Sequence, residues 1–183
     1  MEFCYIDNSN IFIEGQRVSA VRRKQAEDMD AAIRNGIQDQ QYRLDFGKLY
    51  EFAVGFDLNQ VGRAMLFGSR PPANDHLWTI AQDVGFEVIV EDRNLSNKEK
   101  RVDTGLTFEL TRDAYRSVEK SNDRITLVAG DGDYVPVVKN LVDDGFNVEV
   151  FFWNHCSRDL RDAASKFVSL DQHYLEIGSI SER

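Results

Sequence analysis

The sequence predicts a three-layer α/β/α fold around a mostly parallel sheet of five or six strands. Two features predict it. Runs that are apolar at almost every position, such as Ile125 to Ala129 and Val148 to Trp153, read as strands covered on both faces. Segments with helical apolar spacing alternate with those runs, the pattern of crossover connections in a parallel sheet. The chain has 183 residues, enough for a sizeable core. With three prolines and no low-complexity linker or repeat, residues 1–183 read as one domain.

The first strand is "EFCYIDN", Glu2 to Asn8. A polar, helix-compatible stretch from Val18 to about Gly36 follows. Val21, Met29, Ile33 and Ile37 give it a thin apolar stripe, as expected of a surface insertion at about 17–41. In "DFGKLYEFAVG", Asp45 is the expected cap, Phe46, Leu49, Tyr50 and Ala53 share a face, and Gly55 ends the helix. "RAMLFGS" (Arg63 to Ser69) is the second strand, "NDHLWTIAQDVG" a helix stopping at Gly85, and "FEVIVED" the third strand. The loop "RNLSNKEKR" leads to a long helix expected from about Asp103 to Lys120, with Leu106, Leu110, Ala114 and Val118 four residues apart. "RITLVAG" is the fourth strand, "YVPVVKNLVDDG" a helix, and "NVEVFFW" the fifth strand. A helix over Ser157 to Phe167 and a short strand at "FVSLD" close the chain.

Composition narrows the function. No apolar run approaches the ~20 residues of a membrane helix, and "MEFCYIDNSN" lacks the basic region and cleavage pattern of a secretory signal. Two cysteines, Cys4 and Cys156, are too few for a disulfide framework, so a cytoplasmic, reduced setting is expected. Three scattered histidines argue against zinc. The net charge of −9 argues against broad, non-specific nucleic-acid binding. Local basic groups remain in Arg70, Lys98, Lys100 and Arg101; they could track a nucleic-acid backbone or simply solvate the surface. Trp78, Trp153 and the Phe151-Phe152 pair fit core packing better than base stacking.

The acids carry the chemistry. Asp7 ends the first strand, and Asp131 and Asp133 end the fourth. Ligands of parallel sheets bind beyond the carboxyl ends of the strands, so neighbouring strands would aim these three acids into one crevice. Asp103, heading the long helix, can join them. Glu109, six residues on and roughly 9 Å along that helix, reaches the site only from one side. Taken singly, Asp103 and Asp133 could each cap a helix, and Asp7-Asn8-Ser9-Asn10 could be a turn. Capping does not explain convergence, since four clustered carboxylates repel unless a cation lies between them. An all-oxygen set without His or Cys selects Mg²⁺ or Mn²⁺, which can activate water and neutralise phosphodiester charge. No GxxxxGK[ST] phosphate loop occurs.

Three ordered blocks, "YIDNSNIFI", "KRVDTGLTFEL" and "ITLVAGDGDYVPVVKNLVDDGFNVEVFFW", with "SRDLRDAASKFVSL" at the close, resemble the NYN domain family of the PIN-like nuclease superfamily. The resemblance implies a PIN-like sheet and a divalent metal, Mg²⁺ or Mn²⁺, held by acids. It implies hydrolysis of phosphodiesters, usually of RNA, leaving 5′-phosphate and 3′-hydroxyl ends. By motif it assigns Asp7, Asp103, Asp131 and Asp133 to metal and catalysis and Glu109 to a further acid. Asn10 would orient the attacking water or the phosphate. Ala129 and Gly132 stand where serine is common, Tyr134 where the family block "S-G-D-x-D-F" has Phe, and Ser165 where Asp is frequent.

The expected function is therefore a metal-dependent nuclease, a single-stranded endoribonuclease in its simplest form. A non-catalytic RNA-binding or protein-interaction module and a metal-dependent nucleotide phosphatase are the alternatives. RNA is the expected partner and a membrane is not; the residues leave open a second copy or a protein partner, the RNA target, DNA cleavage and the metal count.

Overall fold

The computed structural model describes residues 1–70, 76–92 and 98–181, the side chains of 70, 92 and 98–101 excepted. In chain order the elements are β1 (Glu2–Asp7), α1 (Asn8–Arg22), α2 (Met29–Arg34), β2 (Tyr42–Leu44), α3 (Phe46–Ala53), β3 (Val61–Arg70), α4 (His76–Val84) and β4 (Glu87–Asp92). There follow α5 (Lys98–Arg116), β5 (Arg124–Val128), α6 (Val135–Asp143), β6 (Val148–Phe152), α7 (Arg158–Ala163), β7 (Lys166–Ser169) and β8 (Gly178–Ile180).

Six strands form one sheet in the order β4-β3-β1-β5-β6-β7, and every pair in it is parallel. Numbered along the chain within the sheet, that order is 3-2-1-4-5-6. It is the doubly wound arrangement, whose ligand crevice lies where the winding reverses, here beside β1. Right-handed crossovers put α1, α3 and α4 on one face and α5, α6 and α7 on the other. The packed pairs α3 with α4, α5 with α6 and α6 with α7 agree with this.

β1 shows why a parallel sheet forms. Phe3, Cys4, Tyr5 and Ile6 are all buried, so neither face is solvated and only helices on both sides can cover them. Leu106, Leu110 and Ala114 are the buried stripe of α5. Gly55 and Gly85 stop α3 and α4 at φ +107° and +121°, a region that glycine enters without steric cost. Trp153 is wholly buried, its Nε1 donating to the Ile11 carbonyl at 3.0 Å, and Phe151 and Phe152 are core residues.

Several boundaries differ from the sequence expectation. α1 begins at Asn8, because the Asp7 carboxylate caps it by accepting from Asn10 N at 3.1 Å. The 17–41 stretch is therefore the end of α1, a turn and the short α2. α5 begins at Lys98 rather than Asp103, so Asp103 lies in its second turn and is no cap. The last helix stops at Ala163, and Ser165 stands between α7 and β7, its Oγ accepting from Val148 N at 3.1 Å. The two-stranded antiparallel ribbon of β2 and β8 is also additional. At three residues per strand it carries too little alternation to show in sequence.

Candidate active site

The carboxyl edge of β1 and β5 carries the four acids and one hydroxyl. Asp7 ends β1, and its side chain is only 6% exposed. Tyr134, fully buried in the turn after β5, approaches Asp7 Oδ2 at 3.2 Å and Asp103 Oδ1 at 3.0 Å with the same hydroxyl. A hydroxyl has one proton to donate, so it cannot satisfy two ionised carboxylates at once.

The charges record that shortage. Burial pushes the Asp7 carboxyl up to about 6, and the Asp103 charge adds to the rise. Hydrogen bonds from the Asn10 and Ser9 amides and the Tyr134 hydroxyl oppose it. Burial, then the Asp7 and Asp103 charges, push the Tyr134 phenol far above its usual range. Tyr134 is therefore a donor at any physiological pH, set between two carboxylates.

The turn carrying Asp131 and Asp133 is fixed from three sides. Asn10 Oδ1 accepts from Gly130 N at 2.8 Å, tying the turn to α1. The Gly130 carbonyl accepts from Ser157 N at 3.0 Å, tying it to the start of α7. A Cβ on Gly130 would lie 2.0 Å from the Phe152 ring, so only glycine lets the backbone pass there. Asp131 then caps the following 3-10 turn, its Oδ1 accepting from Asp133 N at 3.1 Å. Both acids are exposed. Asp133 and Asp103 face a common groove of about 590 Å³ along α5, with Thr104, Thr107, Phe108 and Thr111.

Glu109 lies elsewhere. It accepts from Arg63 Nη1 at 2.6 Å and Arg112 Nη1 at 2.9 Å, in a cluster where Arg63 also binds Asp113 at 2.7 Å. Arg63 is in register with Phe3, whereas Asp7 is in register with Phe67, so the cluster sits four residues back along the sheet, ~13 Å from the carboxyl edge. Arg70, Lys98, Lys100 and Arg101 lie outside the residues whose side chains are described.

The donor chemistry suits a hard divalent cation: Asp7 and Asp103 are buried and half-buried carboxylates that meet at one hydroxyl. Among the described residues no three His, Cys, Asp or Glu side chains stand close enough to hold an ion between them. Asp7 and Asp103 are thus the inner pair, with Asp131 and Asp133 at the rim. Sequence reasoning placed all four acids at this edge but missed Tyr134. Its signal was the hydroxyl added where the family block has Phe.

Comparison with known proteins follows from this geometry. The NYN domain family model matches residues 6–171. No curated protein matches the chain. Among solved structures, a protein of unknown function, VPA0982 from Vibrio parahaemolyticus, is similar at a TM-score of 0.65 and 19% identity, covering 97% of this chain and 96% of that one. That likeness is one of fold.

Proposed function

The chain belongs to the NYN domain family, and on that premise we propose that it is a metal-dependent nuclease that cuts single-stranded RNA internally. The supporting observation is the Asp7–Tyr134–Asp103 arrangement at the reversal of the sheet, where two carboxylates share one hydroxyl proton. Mg²⁺ or Mn²⁺ held by Asp7 and Asp103 would activate water and neutralise charge on a phosphodiester.

The residues of the chain do the rest. Burial pushes the Asp7 carboxyl up to about 6, so at neutral pH it is largely ionised and can serve as a ligand to a cation. Tyr134, always protonated, lies within hydrogen-bond reach of both carboxylates and fixes their spacing. Asn10 positions the Asp131–Asp133 turn through Gly130. Asp131 and Asp133, exposed at the rim, would add negative charge on the open side of that ion's site. The α5 groove beside Asp103 and Asp133 gives a strand of RNA its path.

Among the described residues no helix is long and apolar enough to cross a membrane. The two buried thiols, Cys4 and Cys156, fit a reduced, cytoplasmic setting.

End-labelled single-stranded RNA and DNA, incubated with the purified chain and Mn²⁺, Mg²⁺ or EDTA, test the proposal, with Asp131→Asn as control. Metal-dependent internal cuts in RNA, weakened in the variant, support it. Binding without cutting would replace it with a non-catalytic module, and turnover of mononucleotides alone would replace it with a phosphatase.

A further inference from the structure

Directly after Asp7 the chain builds a second concavity that the hydrolytic chemistry does not use. It has a volume of about 360 Å³, within the ~300–1,000 Å³ usual for small-molecule sites. Asn8 and Phe12 of α1, Gln38, Gln40 and Arg43 of the segment following α2, and Trp78 of α4 are among its walls.

Two of those walls bury polar atoms at a cost. Asn8 is 6% exposed and Trp78 5% exposed. Asn8 Oδ1 and Trp78 Nε1 have no hydrogen-bond partner among the described residues. An unmade buried hydrogen bond costs ~1–3 kcal/mol, and native proteins keep few of them. One orphan is an acceptor and the other a donor, and both belong to residues lining the same cavity.

We infer that this cavity is a nucleobase subsite, reading a base next to the phosphate held at Asp7. A base is flat and aromatic, and its edge carries both donors and acceptors. It would give Asn8 Oδ1 a ring N–H or amine and Trp78 Nε1 a ring nitrogen or carbonyl. Phe12 supplies apolar surface for a face of the base, and Gln38 and Gln40 add carboxamides, the side chains best suited to paired base edges. Arg43, exposed and oriented by bonds from its Nη1 to the Gln40 and Tyr42 carbonyls, stands at the rim for a flanking phosphate. The 17–41 stretch thus has a role: it brings Gln38 and Gln40 back over α1. The inference rests on the nuclease reading for its substrate class, but not for its test.

The test is equilibrium binding in EDTA, where no cleavage occurs. The chain has two tryptophans, and Trp153 is wholly buried under α1, so a change in tryptophan emission reports on Trp78. The four nucleoside 5′-monophosphates and ribose 5-phosphate are titrated by fluorescence and calorimetry. Saturable binding of at least one nucleotide is expected, with ribose 5-phosphate silent. Asn8→Ala should weaken it about tenfold or more, the loss of one buried hydrogen bond. Gln40→Ala, at an exposed position that cannot unfold the protein, should weaken it several-fold. Equal binding of ribose 5-phosphate, no saturation at millimolar nucleotide, or unchanged affinity in both variants would overturn the subsite. Nucleotide binding that meets these criteria in a chain that never cuts RNA would uphold the subsite and remove the nuclease reading.

Discussion

Replacing Asp7 with Asn should make the metal-free protein more stable while removing its activity. The Asp7 carboxyl titrates at about 6 in the fold against an ordinary value of 3.8. A carboxyl raised on folding binds its proton more tightly in the native state. Native stability is therefore highest with Asp7 protonated and falls as pH rises through the interval from 3.8 to about 6. Above that interval the cost of keeping the charge in the fold is ~3 kcal/mol, from ~1.36 kcal/mol per pH unit of displacement. Asn is isosteric, caps a helix as well as Asp, and carries no charge for burial and Asp103 to oppose.

Urea unfolding of both proteins in EDTA, at pH 7.5 and at pH 4, reads the difference. Asp7→Asn should gain ~2–3 kcal/mol at pH 7.5 and less than ~1 kcal/mol at pH 4, where the wild-type carboxyl is already neutral. Other groups titrate in both proteins and largely cancel. A variant no more stable at pH 7.5, or a gain that does not shrink with acid, would refute the reading of Asp7 as a buried, charge-strained carboxylate.

Two further outcomes follow from the same geometry. Asn10→Ala leaves the Gly130 amide without its 2.8 Å acceptor, and should cost ~1–3 kcal/mol in thermal or urea unfolding; Asn10→Asp, which keeps an acceptor, should recover most of it. Glu109→Gln should leave cleavage within about twofold of wild type, because the residue belongs to the Arg63 cluster and not to the carboxyl edge. It should lower stability by ~1 kcal/mol or more through the weakened buried ion pairs. Cleavage lost on Glu109→Gln with the fold intact would return that acid to the site.

Much of this architecture was legible because it follows from chain-local rules. β1, β5 and β6 are apolar on nearly every position, which is diagnostic of a sheet buried on both faces. The end of α3 at Gly55 and of α4 at Gly85 follows from positive φ. That Asp7 and the Asp131–Asp133 turn lie on one edge follows from the parallel order, since every strand of such a sheet ends on the same side. What escaped depends on distant partners. Asp7-Asn8-Ser9-Asn10 looked like a turn because its polar side chains suit turns; it became the first turn of α1 once Asn10 found Gly130, 120 residues away. Glu109 was placed by helical rise and by motif, which give its height along α5 but not the position of Arg63 on β3. Tyr134 reads as a core aromatic in sequence, and only the approach of α5 to β1 gives its hydroxyl two carboxylates. The cavity at Asn8 and Trp78 is assembled from four separate segments, so no local pattern could announce it.

The central claim is that the Asp7–Asp103 pair holds the cation on which RNA cleavage depends. Single-turnover cleavage of a labelled single-stranded RNA, titrated with Mn²⁺, tests it in wild type and in Asp103→Asn, with both proteins checked for an intact fold. The wild-type rate should saturate with Mn²⁺ and vanish in EDTA. The variant should lose about a hundredfold or more, the scale of removing metal-borne charge stabilisation. A variant that cuts as fast as wild type at the same Mn²⁺, or cleavage that persists in EDTA, would contradict it.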